Sequence, residues 1–99
     1  MVETLIILPE AEQDIAEARD WYEGRRAGLG RAFVEAINAR IRVIQRNPEA
    51  FALVHESYRR ALVERFPYMI FYEPSENAIV IHAVFHCARD PQAWQRRLH

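Results

Sequence analysis

The chain has 99 residues, of which 51% are hydrophobic and 27% charged, and its 13 basic and 14 acidic side chains give a formal net charge of −1. This length allows one hydrophobic core and excludes a two-domain arrangement, so we interpret residues 1–99 as a single domain. All 13 basic residues are arginine, which excludes chemistry that depends on a lysine amine. The near-neutral charge also argues against a protein that coats nucleic acid.

Charge is distributed unevenly along the chain. Residues 9–23 hold six acidic side chains and one arginine, a balance of −5. Residues 24–65 hold nine arginines and four glutamates, a balance of +5. We therefore expect a bipolar molecule, with an acidic first helix and a basic middle segment.

Cysteine usage and the N-terminal sequence indicate the compartment. Cys87 is the single cysteine, so no internal disulfide is possible. The apolar run that Pro9 ends is too short for a secretory signal, and no stretch approaches the ~20 apolar residues of a membrane span. We expect a cytoplasmic protein that does not enter a membrane.

The first half of the chain predicts one strand and two helices. Val2–Leu8 is a short apolar run, typical of a buried strand. Pro9 suits the first turn of a helix, and an apolar stripe at three- and four-residue spacing carries this helix to about Glu23. A second stripe from Leu29 predicts a long helix that ends at Asn47 and Pro48.

The second half predicts a sheet. Residues 49–58 show no periodicity and indicate a connecting loop. Three later runs, rich in aromatic and β-branched residues, predict the strands Arg60–Phe66, Tyr68–Glu73 and Ala78–Phe85. Asp90 and Pro91 indicate the start of a short last helix. The expected fold is α+β in the order β-α-α-β-β-β, with the helix hairpin on one face of a small, mostly antiparallel sheet.

Two histidines lie in the last predicted strand. His82 and His86 should face the same side, because strand side chains alternate. They lie about 13 Å apart at a strand's rise per residue, which is too far for one metal ion. We therefore predict no metal site. A histidine here suits acid–base chemistry near neutral pH, although a structural histidine is the more common case.

The segment from His86 to Pro91 is the best candidate site in the sequence. It places His86 at a strand end and Arg89 before a helix cap, where both side chains can converge on a ligand. The alternative is that Arg89 only fixes the turn. Arg59 and Arg60 open the second predicted strand, where they would bind an anion or form a solvated edge.

Several motifs, each weak alone, occur in a specific order over nearly the whole chain. They are the helix start Pro9-Glu10-Ala11-Glu12-x-Asp14-Ile15, the pair Trp21-Tyr22, Gly30-x-x-Phe33, Asn47-Pro48, then Arg60-x-x-x-x-Arg65-Phe66-Pro67-Tyr68-x-Ile70-x-Tyr72, and finally Ile81-x-x-Val84-x-His86-x-x-Arg89-Asp90-Pro91-x-x-Trp94. Together they resemble the RelE/ParE superfamily of bacterial type II toxins.

The resemblance implies a toxin encoded beside an antitoxin of the ParD/RelB kind, which folds on the toxin and forms a hetero-oligomer with it. RelE-like members cut mRNA in the ribosomal decoding site, whereas ParE-like members poison DNA gyrase. Neither activity requires a cofactor. The resemblance alone also allows a non-toxic relative that only binds the antitoxin.

Three departures favour the ParE-like branch. Met69 stands where the nuclease pattern offers an arginine, and a thioether neither stabilises charge on a phosphorane nor donates a strong hydrogen bond. The strand lysines of the nuclease set are absent. A near-neutral chain would also gain little from the counterion release that supports RNA docking.

The resemblance suggests roles for individual residues. The predicted target-binding residues are Arg59, Arg60, Tyr72, His86, Arg89 and Trp94. The predicted antitoxin-binding residues on the helix hairpin are Trp21, Tyr22, Phe33 and Ile37. In the nuclease alternative, Arg60 and Arg89 would hold the phosphate, His86 would protonate the leaving oxygen, and Glu64 would activate the 2′-hydroxyl.

Overall fold

The computed structural model describes residues 4–98, so Val2 at the start of the first predicted strand lies outside the described part. Its elements are β1 (Thr4–Ile7), α1 (Pro9–Arg25), α2 (Leu29–Arg46), β2 (Ala52–His55), β3 (Tyr58–Leu62), β4 (Tyr68–Pro74), β5 (Ala78–His86) and α3 (Pro91–Arg97). The strands form a sheet in the order β1-β5-β4-β3-β2, in which β1 runs parallel to β5 and the other neighbours are antiparallel. This confirms the α+β fold, the helix hairpin and the short last helix.

One strand was absent from the sequence prediction. The predicted loop 49–58 contains β2, which pairs with β3 through a register shift between Leu53 and His55. Half of this short strand is exposed and its register shifts. Its sequence therefore lacks the alternation of apolar and polar residues by which a strand is predicted. The fold is therefore β-α-α-β-β-β-β.

The second predicted strand also has different limits. The prediction Arg60–Phe66 is wrong at both ends, since β3 begins at Tyr58 and ends at Leu62. Beyond it the chain turns through Arg65 at φ 74°, and Phe66 then packs into the core. Side-chain type alone does not reveal this left-handed residue.

The two long helices pack closely because of a glycine. A Cβ on Gly30 would lie 2.7 Å from the carbonyl oxygen of Arg19 in α1. The Glu23 carboxylate accepts the backbone N–H of both Gly28 and Gly30, at 3.0 and 2.9 Å. Gly28 itself has φ 93°, a conformation that glycine adopts at little cost. These contacts fix the turn between α1 and α2.

The sheet has apolar side chains on both faces. The face that contacts α1 and α2, here called the hairpin face, holds the larger core, including Phe33, Ile37, Ile70 and Ile81. The opposite face, here called the α3 face, holds Met69, Phe71, Ala83, Phe85 and Leu98. Full burial of a large apolar side chain contributes about 1.5–3 kcal/mol, so both layers stabilise the fold.

An irregularity in β5 changes which residues share a face. Phe71 pairs with Ala83 and Tyr72 pairs with Ile81, so His82 is an extra residue on β5. Such a bulge shifts the alternation of side chains by one position. His82 and Ala83, although adjacent in sequence, therefore lie on the same face of the sheet.

The bulge separates the two histidines. His82 lies on the α3 face, with its ring centroid 4.8 Å from that of Tyr58 and Nε2 3.5 Å from Glu73 Oε1. His86 lies on the hairpin face, with its ring centroid 5.1 Å from that of Tyr68. The prediction that they share a face is wrong, because it assumed uninterrupted alternation.

Among residues 4–98, no helix is both long and apolar enough to cross a membrane.

Candidate functional site

Arg60 is the central cation of the α3 face. Its neighbour Ala61 belongs to the core on the hairpin face, so Arg60 points to the opposite side. Arg60 is half-buried and forms no ion pair or side-chain hydrogen bond within the described residues. It lies opposite Phe71 in the sheet. Its guanidinium is therefore available to an anionic or carbonyl-rich partner.

Apolar side chains accompany Arg60. Leu62, two residues further along β3, is 55% exposed. Trp94 in α3 is half-buried and stacks on Phe71, with ring centroids 4.9 Å apart and an interplanar angle of 23°. Arg60, Leu62 and Trp94 together form an accessible surface on the α3 face. A cation beside exposed apolar area is a common composition for a protein-binding surface.

Arg59 points to the other side of the sheet and has a structural role. Its Nη1 donates hydrogen bonds to the carbonyl oxygens of Phe51 and Glu49, at 2.7 and 3.2 Å. These bonds hold the segment between α2 and β2 against β3. The position of Arg59 thus does not support its predicted part in target binding.

Tyr72 is fully buried in the core on the hairpin face. Its hydroxyl donates a 2.6 Å hydrogen bond to the carbonyl oxygen of Pro48. Burial raises the pKa of Tyr72 to about 12, although the Arg59 cation acts in the opposite direction. The position of Tyr72 therefore does not support its predicted part in target binding, because its ring is 0% exposed in this structure.

His86 and Arg89 lie at the edge of a groove between α1 and the end of β5. The backbone N–H of Ala88 donates to His86 Nδ1 at 2.9 Å, so in the neutral ring Nε2 carries the proton. The Arg89 guanidinium lies 4.1 Å from the centroid of the Phe85 ring. Both residues line this groove together with Trp21 of α1. Arg89 is exposed and His86 is half-buried.

The four candidate nuclease residues do not form one site. Arg60 lies on the α3 face, whereas His86 lies on the hairpin face. Glu64 is 84% exposed beyond the end of β3, where Oε1 lies 3.6 Å from Nη2 of Arg40 in α2. Only His86 and Arg89 line a common groove.

The predicted antitoxin-binding residues differ in burial, and only Trp21 among them is exposed. Phe33 and Ile37 are 0% and 1% exposed, so in this structure their positions do not support binding to a partner. The predicted apolar stripe packs on the sheet instead. Tyr22 is half-buried and stacks on Phe33, with centroids 5.4 Å apart. Trp21 is 54% exposed, and the guanidinium carbon of Arg25 lies 4.4 Å from its ring centroid.

Comparison with known proteins gives the family. The family model described as "ParE toxin of type II toxin-antitoxin system, parDE" matches residues 5–91. The chain belongs to this family. Its fold is similar to a solved structure described as "Chromosomal ParDE TA system from P. aeruginosa", with a TM-score of 0.76, 17% identity, and coverage of 86% of this chain and 96% of that chain. No curated protein matches the sequence significantly.

Membership in the ParE toxin family agrees with the predicted resemblance. It establishes a toxin of a type II toxin-antitoxin system, and such a system includes a cognate antitoxin as partner. Within residues 4–98, no group of three or more histidine, cysteine, aspartate or glutamate side chains is arranged to hold a metal ion.

The motif that begins α1 in this ParE-family chain includes Asp14, but the contacts of this residue were not predicted. Asp14 is 8% exposed and forms a two-bond ion pair with Arg97, each N···O distance being 3.0 Å. Its Oδ2 also accepts the backbone N–H of Val84 at 3.0 Å. The sequence signal that could have revealed these contacts was helical spacing. Asp14 lies three residues after Ala11 and four before Ala18, both buried, so it is on the same face of α1. Asp14 therefore ties α1, β5 and α3 together.

Proposed function

We propose that this chain is a ParE-like toxin that inhibits growth by binding DNA gyrase and is neutralised in the cytoplasm by its cognate antitoxin. The observation that carries the proposal is the separation of Arg60 and His86 on opposite faces of the sheet. A nuclease that uses both residues needs them around one phosphate. Binding to a protein has no such requirement.

The environment of Met69 also supports a binding activity. Met69 stands where the nuclease pattern offers an arginine, and it is 6% exposed among the apolar residues of the α3 face. Its thioether provides packing but no positive charge. The α3 face around it therefore suits apolar contact with a partner better than stabilisation of a charged transition state.

The proposed gyrase-binding residues are Arg60, Leu62 and Trp94 on the α3 face, with Arg89 at its margin over Phe85. His86, predicted with them, lies on the opposite face of the sheet. Arg60 has no ion pair within residues 4–98, so binding would not have to break one. Arginine and tryptophan are the residue types that most often dominate binding energy at protein interfaces. Leu62 adds exposed apolar area beside them.

The proposal is tested by a gyrase supercoiling assay with paired variants. Arg60→Ala should weaken inhibition at least about tenfold, as expected for a central interface arginine. Arg42→Ala is the matched control, because Arg42 is exposed on α2 and makes no ion pair within the described residues. Leu62→Ser should also weaken inhibition, whereas Leu53→Ser should not, although Leu53 is 57% exposed.

Induction of the chain in bacteria separates the proposal from its alternatives. Growth arrest with loss of supercoiling and intact mRNA supports it. Codon-phased cuts in mRNA with normal supercoiling would establish the RelE-like nuclease instead. Soluble, folded protein without any effect on growth would indicate a relative that only binds the antitoxin. The gene beside it should encode that antitoxin, a small DNA-binding protein with a polar tail.

A further inference from the structure

The α3 face of the sheet is covered over only part of its width. α3 lies over β4 and β5, where Phe71, Ala83 and Phe85 are at most 2% exposed. On β3 the same face is open, since Leu62 is 55% exposed and Tyr58 is half-buried. Within residues 4–98, no helix packs on β2 and β3 from this side. The helical layer on the α3 face is therefore incomplete.

The open part has the width of one helix. Neighbouring strands lie about 4.8 Å apart and packed helices about 8–10 Å apart, so one helix covers about two strands. Because α3 covers β4 and β5, the neighbouring strands β3 and β2 leave room for a second helix beside it. Trp94, stacked on Phe71 of β4, lies at the boundary. We use the name β3 strip for the open residues Tyr58, Arg60 and Leu62.

The β3 strip has a cation between two apolar side chains. Tyr58, Arg60 and Leu62 alternate along β3, so they share the α3 face at intervals of about 6.6 Å. Arg60 forms no ion pair or side-chain hydrogen bond within the described residues. A carboxylate matches the planar guanidinium group in both charge and geometry. A complementary occupant therefore has an acidic residue between two apolar ones.

Tyr58 is held in place by a polar network. Its ring meets the His82 ring edge-on, with centroids 4.8 Å apart. Glu73 accepts the Ser57 hydroxyl at 2.5 Å, and its other oxygen lies 3.5 Å from His82 Nε2. Burial, and then the carboxylates of Glu73 and Glu56, raise the pKa of Tyr58, so its phenol is neutral near pH 7. A neutral ring that is already ordered loses little conformational entropy on binding.

The spacing of the β3 strip matches that of a helix. Residues four apart on a helix are about 6 Å apart along its axis, close to the interval between alternate residues of a strand. Helix positions i, i+4 and i+8 therefore span about 12 Å, against about 13 Å from Tyr58 to Leu62. One face of a helix can thus contact all three residues of the strip at once.

We propose that the β3 strip binds an amphipathic helix of gyrase, with an aspartate or glutamate on Arg60 between two apolar residues, one against Tyr58 and one against Leu62. Tyr58 is thus a further target-binding residue, and Glu73 and His82 position it. The inference rests on the proposed function and names the kind of segment that the target presents. The bound helix lies beside α3 and completes the layer on this face.

Binding of the full chain to purified gyrase tests the role of Tyr58. Tyr58→Ala should weaken binding about tenfold, whereas Tyr58→Phe keeps the ring and should bind within about twofold of the unchanged chain. Phe51→Ala is the matched control, because Phe51 is also a half-buried aromatic residue but packs on the hairpin face. Circular dichroism reports whether each variant is folded. Equal weakening by Tyr58→Ala and Phe51→Ala would overturn the proposal.

Charge reversal tests whether the bound segment is acidic. Arg60→Glu should weaken gyrase binding at least about fivefold more than Arg60→Ala, because two carboxylates would then face each other. Arg42→Glu is the matched control at an exposed arginine of α2, and it should bind as the unchanged chain does. Equal binding by Arg60→Glu and Arg60→Ala would contradict an acidic partner, and this result does not depend on a Tyr58 variant that folds.

A double-mutant cycle tests the positioning role of Glu73. Glu73→Ala should weaken gyrase binding about threefold in the unchanged chain and have no further effect in Tyr58→Ala, because it acts through the Tyr58 ring. A contribution to stability alone would weaken both backgrounds equally. Additive effects of the two substitutions on binding would therefore show that Glu73 does not position Tyr58.

Cross-linking identifies the segment that occupies the β3 strip. Benzoylphenylalanine replaces Leu62 in the full chain, and its adduct with gyrase is mapped by mass spectrometry. We expect a helical gyrase segment with an acidic residue four positions from an apolar one. A segment without a carboxylate would overturn the proposal, as would an adduct between two copies of the chain in place of a gyrase adduct.

The outcomes separate this inference from the proposed function. An unchanged chain that does not bind gyrase would overturn the proposed function, and this inference with it. Binding by the unchanged chain together with equal binding by folded Tyr58→Ala would overturn only the inference about the β3 strip.

Discussion

The three-way contact of Asp14 leads to the sharpest prediction about stability. Replacing Asp14 by alanine removes three hydrogen bonds, two to the Arg97 guanidinium and one to the backbone N–H of Val84. It leaves a buried N–H without a partner, which costs about 1–3 kcal/mol, and it also removes a charge-assisted pair. The Arg97 side chain is 26% exposed, so in the variant water solvates its guanidinium and offsets part of the lost ion pair. We expect a loss of about 3 kcal/mol in the free energy of unfolding.

The assay is urea unfolding followed by circular dichroism, with Trp94 fluorescence, measured in a Trp21→Phe background, as a local probe of α3. The control is Asp20→Ala, because Asp20 is 72% exposed and its 3.0 Å pair with Arg19 is a surface contact. That control should lose at most about 0.5 kcal/mol. Asp14→Asn retains a carbonyl acceptor for Val84 and should lose less than Asp14→Ala, about 1.5 kcal/mol.

A double-mutant cycle with Arg97→Met measures the pair itself. Contacting residues in one ion-pair network show coupling of about 0.5–3 kcal/mol, and we expect a value above 1 kcal/mol here. Trp94 emission should also change in Asp14→Ala, because α3 loses its tie to α1 and β5. The reasoning is refuted if Asp14→Ala is no less stable than Asp20→Ala, or if the cycle gives no coupling.

Further predictions concern the core and the helix hairpin. Tyr72→Phe should cost about 1–2 kcal/mol near pH 7, because the Pro48 carbonyl loses its donor. The pKa of Tyr72, ordinarily 10.0, is raised to about 12 in the fold, so this phenol stabilises the protein fully below pH 10 and progressively less as the pH rises through 12. The difference in free energy of unfolding between the unchanged chain and Tyr72→Phe should therefore narrow over this range in urea unfolding. A constant difference would contradict a raised pKa of Tyr72. Gly30→Ala should lose about 1–3 kcal/mol, since its Cβ would lie 2.7 Å from the Arg19 carbonyl oxygen, whereas Gly24→Ala should gain about 0.5–1 kcal/mol, since it meets nothing within 4 Å. Thermal melts that rank the two glycine variants in the reverse order would show that the hairpin does not require this close approach.

Much of the fold could be predicted because it depends on neighbours in the sequence. Pro9 and Pro91 begin α1 and α3 as expected, and the apolar stripe of α2 is buried as its spacing indicated. The strand β2 could not be predicted, because a short edge strand with a register shift gains its order from pairing with β3. The candidate site was predicted less well. Arg60, His86, Arg89 and Trp94 are accessible, whereas Tyr72, Phe33 and Ile37 are buried.

The sequence by itself determined the type and order of nearly all elements, and its motifs indicated the toxin family. Periodicity, proline positions and motif order are properties of short segments, so they can be read without knowing how those segments meet. Only the tertiary structure decided which faces the functional residues share. One extra residue at His82 reverses the side on which His86 lies, and Asp14 finds its partner Arg97 83 positions away. Side-chain direction after a bulge, and the pairing of a buried charge, depend on contacts between distant segments, and these exist only once the chain has folded.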